Sequence, residues 1–270
     1  MTESPSTTSA TGTAPPDGTP AVRVRALTKE FAGGVKALGG VSFDVPRGEL
    51  TSIIGPSGCG KTTTLKIIAG LLEATSGQVE VDGVPVTQPG PDRAFVFQDF
   101  ALMPWATVLR NAAFGLELRG VPRAEREKIA REYVAKVGLA GSEDAFPHQL
   151  SGGMRQRVGL ARALAVDADI LLMDEPFASV DEQIRRKFQE DLLHLLAVEK
   201  KTVIFVTHSI EEAVYVSDQV VILTRGPSQV SKVVRPGVDR SGGSDAIRRS
   251  PAYLDWVEQI WAELQDYLEE

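Results

Sequence analysis

The chain has 270 residues, 43% of them hydrophobic and 24% charged, and a formal net charge of −7 at pH 7. That length suits one large domain with at most a small appendage, and the acidic balance argues against nucleic acid as a partner, which needs a basic face. No stretch approaches the roughly 20 apolar residues that span a bilayer, and Cys59 is the only cysteine, so an intrachain disulfide is excluded and a reducing cytosol fits.

Residues 1–20 are rich in Ser, Thr, Pro and Gly and are expected to form a disordered tail, without the basic start and apolar run of a signal peptide. Val22–Ala26 and Val41–Val45 read as short strands. Leu50–Ile54 is a third, and it runs directly into Gly55-Pro56-Ser57-Gly58-Cys59-Gly60-Lys61-Thr62. Thr62–Leu72 has helical spacing, with Ser76-Gly77 as its exit turn. Gln78–Val81 and Ala94–Phe97 are strand-like. Residues 99–148 change character and suggest a helical insertion, with helices at Val108–Leu118 and Arg123–Val137. Ser151 opens another helix at about Met154–Ala165, so that the helical subdomain is expected at about 99–165.

Ile170–Met173 is a wholly apolar run ending in two acids, as expected of a buried parallel strand. A helix at Ile184–Val198 and β-branched strands at Thr202–Val206 and Gln219–Leu223 follow. The alternation predicts an α/β fold with a mainly parallel sheet. Arg240–Ser244 reads as a linker. Beyond it, Tyr253, Val257, Ile260, Leu264 and Tyr267 form an apolar helical stripe, expected to pack on its own domain.

The Gly55–Thr62 segment is a complete G-x-x-x-x-G-K-[ST] phosphate loop. In such a loop backbone N–H groups point inward and the following helix presents its positive end, so both favour a polyphosphate. Lys61 is expected to reach the β- and γ-phosphates, Thr62 to ligate Mg²⁺ and Thr63 to add a phosphate contact. Asp174 is expected to hold Mg²⁺, and Glu175 to orient or deprotonate an attacking water. The electropositive surroundings of Cys59 are expected to lower its pKa.

Together with the phosphate loop, Leu150-Ser151-Gly152-Gly153-Met154-Arg155-Gln156-Arg157 resembles the signature of ATP-binding cassette (ABC) ATPases, and the likeness covers about residues 22–225. The resemblance implies a RecA-like P-loop core, an antiparallel β subdomain and a helical subdomain. It also implies that two cassettes pack head to tail, so that Ser151, Gly152 and Gly153 face nucleotide held by the other copy. By the same likeness Gln98 senses Mg²⁺ and the attacking water, His208 contacts the γ-phosphate, Asp181 lies in the loop crossing the dimer interface, and Phe31 stacks on adenine. The crossing loop reads Ala178-Ser179-Val180-Asp181, where Ser-Ala-Leu-Asp is commoner in the family.

Pro89–Arg93, Leu102–Trp105 and Gly115–Gly120 further resemble importer cassettes for nitrate, sulfonates and taurine. That likeness implies ATP and Mg²⁺ as cofactors, and a homodimer or paired cassette attached to the cytoplasmic face of the membrane through permease subunits. A solute-binding protein would be an indirect partner. An exporter cassette, or one working on DNA or the ribosome, is the alternative. Trp105 is either an anchor for a permease or a core aromatic under the helical insertion. The expected organisation is a tail at 1–20, the ATPase domain at 21–235 and a linker with a C-terminal amphipathic helix at 236–270.

Overall fold

A computed structural model of the chain describes residues 19–178 and 180–267. The expected tail falls outside these residues up to position 18, as does Ser179 of the crossing loop. Two sheets organise the rest. The first is antiparallel, in the order β2-β1-β4-β5, from β1 (Val22–Phe31), β2 (Val35–Val45), β4 (Ser76–Val81) and β5 (Val84–Pro85). The second has the order β10-β9-β3-β8-β7-β6, from β3 (Leu50–Ile54), β6 (Arg93–Val96), β7 (Ile170–Asp174), β8 (Thr202–Val206), β9 (Gln219–Leu223) and β10 (Val230–Val234). Its four pairings from β9 to β6 are parallel, and only β10 runs antiparallel.

The second sheet is buried on both faces, which is why its central strands are mainly apolar, with Thr51 and Ser52 of β3 buried among them. Side chains alternate between two cores. Ile53, Ile170, Leu172, Ile204, Val206, Val221 and Leu223 pack with the antiparallel sheet and with α1 (Lys61–Ile68). Leu171, Met173, Val203, Phe205, Val220 and Ile222 face the helices on the other side. Those helices are α2 (Val108–Leu118), α3 (Arg123–Lys136), α4 (Gly152–Ala165), α5 (Glu182–Glu199), α6 (Ile210–Val216) and two near the C-terminus, α7 (Ser244–Arg248) and α8 (Pro251–Gln265). None is long and apolar enough to cross a membrane among the described residues.

Three local differences from the sequence expectation have physical causes. The helix after the phosphate loop stops at Ile68, not Leu72, because Gly70 turns into the left-handed region at φ +74°. A Cβ there would lie 2.3 Å from the Gln88 carbonyl carbon, so the chain must turn away with a glycine. Ser76-Gly77 therefore opens β4, where Ser76 pairs with Thr28, rather than closing the helix. The first two strands extend well past their apolar stretches, since register shifts between Val24 and Glu30 let a polar segment continue the hairpin.

The C-terminal region is tied down. Ser244, expected within a linker, starts α7. Arg240 donates to the Tyr215 carbonyl at 2.9 Å and to Asp218 at 2.8 Å. Ile247, Tyr253, Ile260 and Leu264 join the core that contains Ala213 and Val214 of α6, so the apolar stripe of α8 packs on its own chain.

Candidate functional site

β3 ends where the phosphate loop begins, so the strand aims the loop at the C-terminal edge of the parallel sheet, the usual place for ligands in such folds. Gly58 and Gly60 have φ of +76° and +95°, conformations a side chain would strain, and they curl the loop. Gly60 caps α1 without any side-chain bond, leaving the helix's first N–H groups for an external acceptor. Lys61 is only 7% exposed, and its Nζ donates to the Gly55 carbonyl at 2.9 Å and the Pro56 carbonyl at 3.0 Å. No carboxylate pairs with it among the described residues. A buried ammonium in no ion pair among the described residues, beside an uncapped helix start, makes the loop an anion receptor. A cleft of about 390 Å³ opens over it, lined by Phe31, Val35, Ser57, Lys61, Thr63 and Glu175. Phe31 ends β1, is 41% exposed and lines this cleft.

Asp174 and Glu175 close the site from β7. Asp174 is 4% exposed and accepts the Thr62 hydroxyl at 2.9 Å. Burial pushes its carboxyl above the ordinary carboxylate range, only partly offset by the Thr62 bond and with the charge of Glu175 adding to the rise. No basic side chain pairs with it among the described residues. The charges of Lys66 and Lys61 offset the rise only in part, and a buried carboxylate in no ion pair, beside a hydroxyl, is a fitting seat for a small hard cation. No cluster of three His, Cys, Asp or Glu converges among the described residues. The donor set thus suits a cation that keeps water and phosphate oxygens as further ligands, as Mg²⁺ does, rather than an all-protein cage.

Glu175 is the hub of the other half. Its Oε2 lies 3.2 Å from His208 Nδ1 and accepts from Gln98 Nε2 at 3.4 Å. Its N–H donates to the Val206 carbonyl at 2.9 Å, so β8 fixes its position next to β7. Its φ of +45° is a left-handed conformation for a non-glycine residue, a strain of about 1–3 kcal/mol that tends to mark sites where geometry matters more than stability. The structure therefore gathers Gln98, Asp174, Glu175 and His208 around the phosphate loop.

Ser151, Gly152 and Gly153 lie elsewhere, at the start of α4, and hydrogen-bond to none of these residues among the described contacts. Ser151 caps α4, accepting the Met154 N–H at 3.3 Å. A Cβ added at Gly153 would meet only Val180 and Ile184 methyls at 3.8 Å, ordinary contact, so the chain's own packing does not demand a glycine there. Asp181 sits on the surface before α5, its carbonyl accepting the Arg185 N–H at 2.7 Å. Trp105 is 73% exposed, which settles its alternatives against a core role.

One expectation fails. Cys59 is buried, and desolvation pushes its thiol above the usual range, outweighing the nearby Lys61 charge that alone would lower it. Iodoacetamide is accordingly expected to alkylate native Cys59 at least about a hundredfold more slowly than glutathione at the same pH, with the difference lost in denaturant. Labelling as fast as glutathione, followed by mass spectrometry of the intact chain, would show an open thiol instead.

Sequence reasoning also missed Arg162. It donates to the Phe100 carbonyl at 2.9 Å and the Ala101 carbonyl at 2.7 Å, and Arg155 stacks 5.4 Å from the Phe100 ring centroid. Phe100 and Ala101 are both left-handed, at φ +61° and +45°, so α4 grips a strained turn two residues past Gln98. The local signal was faint, because no periodicity connects a loop to a helix 60 residues on.

Comparison with known proteins gives a consistent picture. The model of a family described as ABC transporter matches residues 38–178. An uncharacterized ABC transporter ATP-binding protein of Methanocaldococcus jannaschii, MJ0412, is 50% identical over 91% of this chain and 91% of its own. The taurine import ATP-binding protein TauB of Chromobacterium violaceum is 47% identical over 84% of this chain and 89% of its own. Among solved structures, the dimeric post-hydrolysis state of the ATP-binding cassette MJ0796, bound to ADP and Pi, matches with a TM-score of 0.71 and 34% identity, covering 79% of this chain and 98% of that one.

Proposed function

Because the chain belongs to the ABC transporter family, as one of its ATPases, we propose that it hydrolyses ATP to drive uptake of a small solute, an anion or zwitterion such as nitrate, a sulfonate or taurine. The observation that carries the direction and solute class is the 45–47% identity to several taurine import ATP-binding proteins over most of their length. Permease subunits would receive the work, and exposed Trp105, just past Gln98, is the anchor offered to them. The chain would sit on the cytoplasmic face of the membrane through those subunits, with a solute-binding protein as an indirect partner.

In this reading the phosphate loop and Lys61 bind the β- and γ-phosphates, while Phe31 stacks on the adenine. Thr62, Asp174 and the Gln98 amide oxygen would hold Mg²⁺, which when bound neutralises charge on the phosphates. Glu175 orients the attacking water and takes its proton. Gln98 and His208 both hold Oε2 of Glu175, and His208 meets the γ-phosphate.

Ser151, Gly152, Gly153 and Asp181 act on the nucleotide of a second cassette, completing two sites at a head-to-tail dimer interface. The steric freedom at Gly153 supports this, since a glycine unneeded within its own chain leaves room for a close approach from outside. Each nucleotide then favours the closed dimer because the signature contacts exist only there.

The test is purification of the tagged chain from its own membranes in mild detergent. A polytopic permease and a solute-binding protein are expected, and the latter's ligand can be screened among taurine, sulfonates and nitrate. Recovery of ribosomes or DNA-associated proteins with no membrane partner would overturn the transport reading.

A further inference from the structure

His208 lies between two residues that are themselves held. Buried Thr207 donates to Glu212 Oε2 at 2.6 Å and accepts the Ser209 N–H at 3.0 Å. Ser209 in turn caps α6, accepting the Glu212 N–H at 3.2 Å. The other Glu212 oxygen accepts from Nε2 of Gln189, which is 1% exposed on α5, at 3.2 Å. Gln189 Oε1 accepts from Arg248 Nη2 at 2.5 Å. Arg248 lies in α7, with its guanidinium carbon 4.1 Å from the Tyr215 ring centroid and Nη1 3.4 Å from the Tyr253 hydroxyl. A continuous chain of polar contacts thus runs from α7 through α5 to the turn that carries His208.

The chemistry of the middle link gives the chain a direction. A guanidinium can only donate, so Arg248 commits the Gln189 amide oxygen to itself and the amide NH₂ to the Glu212 carboxylate. Arg185 Nε also stands 3.8 Å from the Glu212 oxygen that Gln189 meets, but Arg248 is what anchors the Gln189 end. Without it the buried amide oxygen loses its donor, and the amide can shift toward another one and loosen its NH₂ from Glu212. We infer that Arg248 is a positioning residue for hydrolysis, acting through Gln189 and Glu212 to hold the Thr207–Ser209 turn and the His208 imidazole against Glu175. The inference rests on the role proposed above for Glu175 and His208.

Arg248→Met keeps the length of the side chain and removes its donors, whereas Arg248→Lys keeps a group that can only donate. The chain has three histidines, so the His208 ring resonance is assigned by its loss in His208→Gln. In R248M that resonance is expected to shift, and kcat for ATP to fall about tenfold with KM within twofold, as for residues coupled in one network. R248K should recover most of both, and R248M should cost little further in the H208Q background. If R248M does not fold, R248L, which also lacks a donor, takes its place.

An unmoved His208 resonance with unchanged kcat, while H208Q is slow, would overturn the inference. So would a full additional loss of kcat in the H208Q background. If H208Q itself keeps wild-type kcat, the role of His208 fails, and the resonance alone then decides whether Arg248 positions the ring.

Discussion

Glu175→Gln is expected to lower kcat for ATP hydrolysis by at least about a hundredfold, the lower end of what a positioned general base contributes, while ATP affinity stays within about threefold. Gln has the same shape and can still hydrogen-bond to Gln98 and His208, which stand 3.4 Å and 3.2 Å from the carboxylate. What it loses is the ability to take a proton from water. Folding should hardly register the change, because the unusual feature at this position is the backbone, with φ +45°, and Gln inherits it. Because a cassette that binds ATP but cannot cleave it stays closed, the variant should also elute as a dimer with saturating ATP and as a monomer without it. Phosphate release and light scattering measure the two effects. A kcat within tenfold of wild type would remove Glu175 from its role, and a variant that stays monomeric with bound ATP would sink the dimer model.

The parts of this molecule that were readable in the sequence are those decided locally. β3, β8 and β9 begin and end where the sequence places them, because both faces of the central sheet are buried and the segments are mainly apolar, with Thr51, Ser52, Thr202 and Gln219 as buried exceptions. The phosphate loop is contiguous, and its physics depends on a few neighbouring glycines and one lysine. Elements that rest on distant partners were harder. α6 escaped notice because it is seven residues long, although Ser209 and Glu212 spell the start of a capping box. β10 is an edge strand whose Ser231 and Lys232 break any apolar pattern. The gathering of Gln98, Glu175 and His208, 77 and 33 residues apart, was reachable only through family likeness. The Arg248–Gln189–Glu212 relay was out of reach, since it joins three helices by side-chain tips. Cys59 shows the opposite error, in which neighbouring charge is visible in the sequence and burial is not.

Lys61→Ala is expected to weaken ATP binding by at least about a hundredfold, about 2.7 kcal/mol, and to do so without a large cost to the empty chain. The two halves of that statement come from one observation. Lys61 is 7% exposed, donates to two loop carbonyls and has no carboxylate partner among the described residues. Keeping a charge there costs desolvation in the absence of ligand, so removing it forfeits two hydrogen bonds but also relieves that penalty. A polyphosphate bound there, by contrast, would lose the buried ammonium as a counter-charge.

Thermal unfolding separates the effects. With ATP at a hundred times the wild-type Kd, linkage stabilises the wild-type chain by about 2.7 kcal/mol. A hundredfold weaker variant at the same concentration gains only about 0.4 kcal/mol. The expected pattern is therefore two empty-state melting temperatures within a few degrees of each other and a nucleotide-induced shift that nearly vanishes in Lys61→Ala. A full shift in the variant would mean that the backbone amides and the uncapped start of α1 bind the phosphates unaided. A collapse of the empty variant would mean that the Lys61 bonds to Gly55 and Pro56 hold the loop, and that its charge is a structural element before it is a binding one.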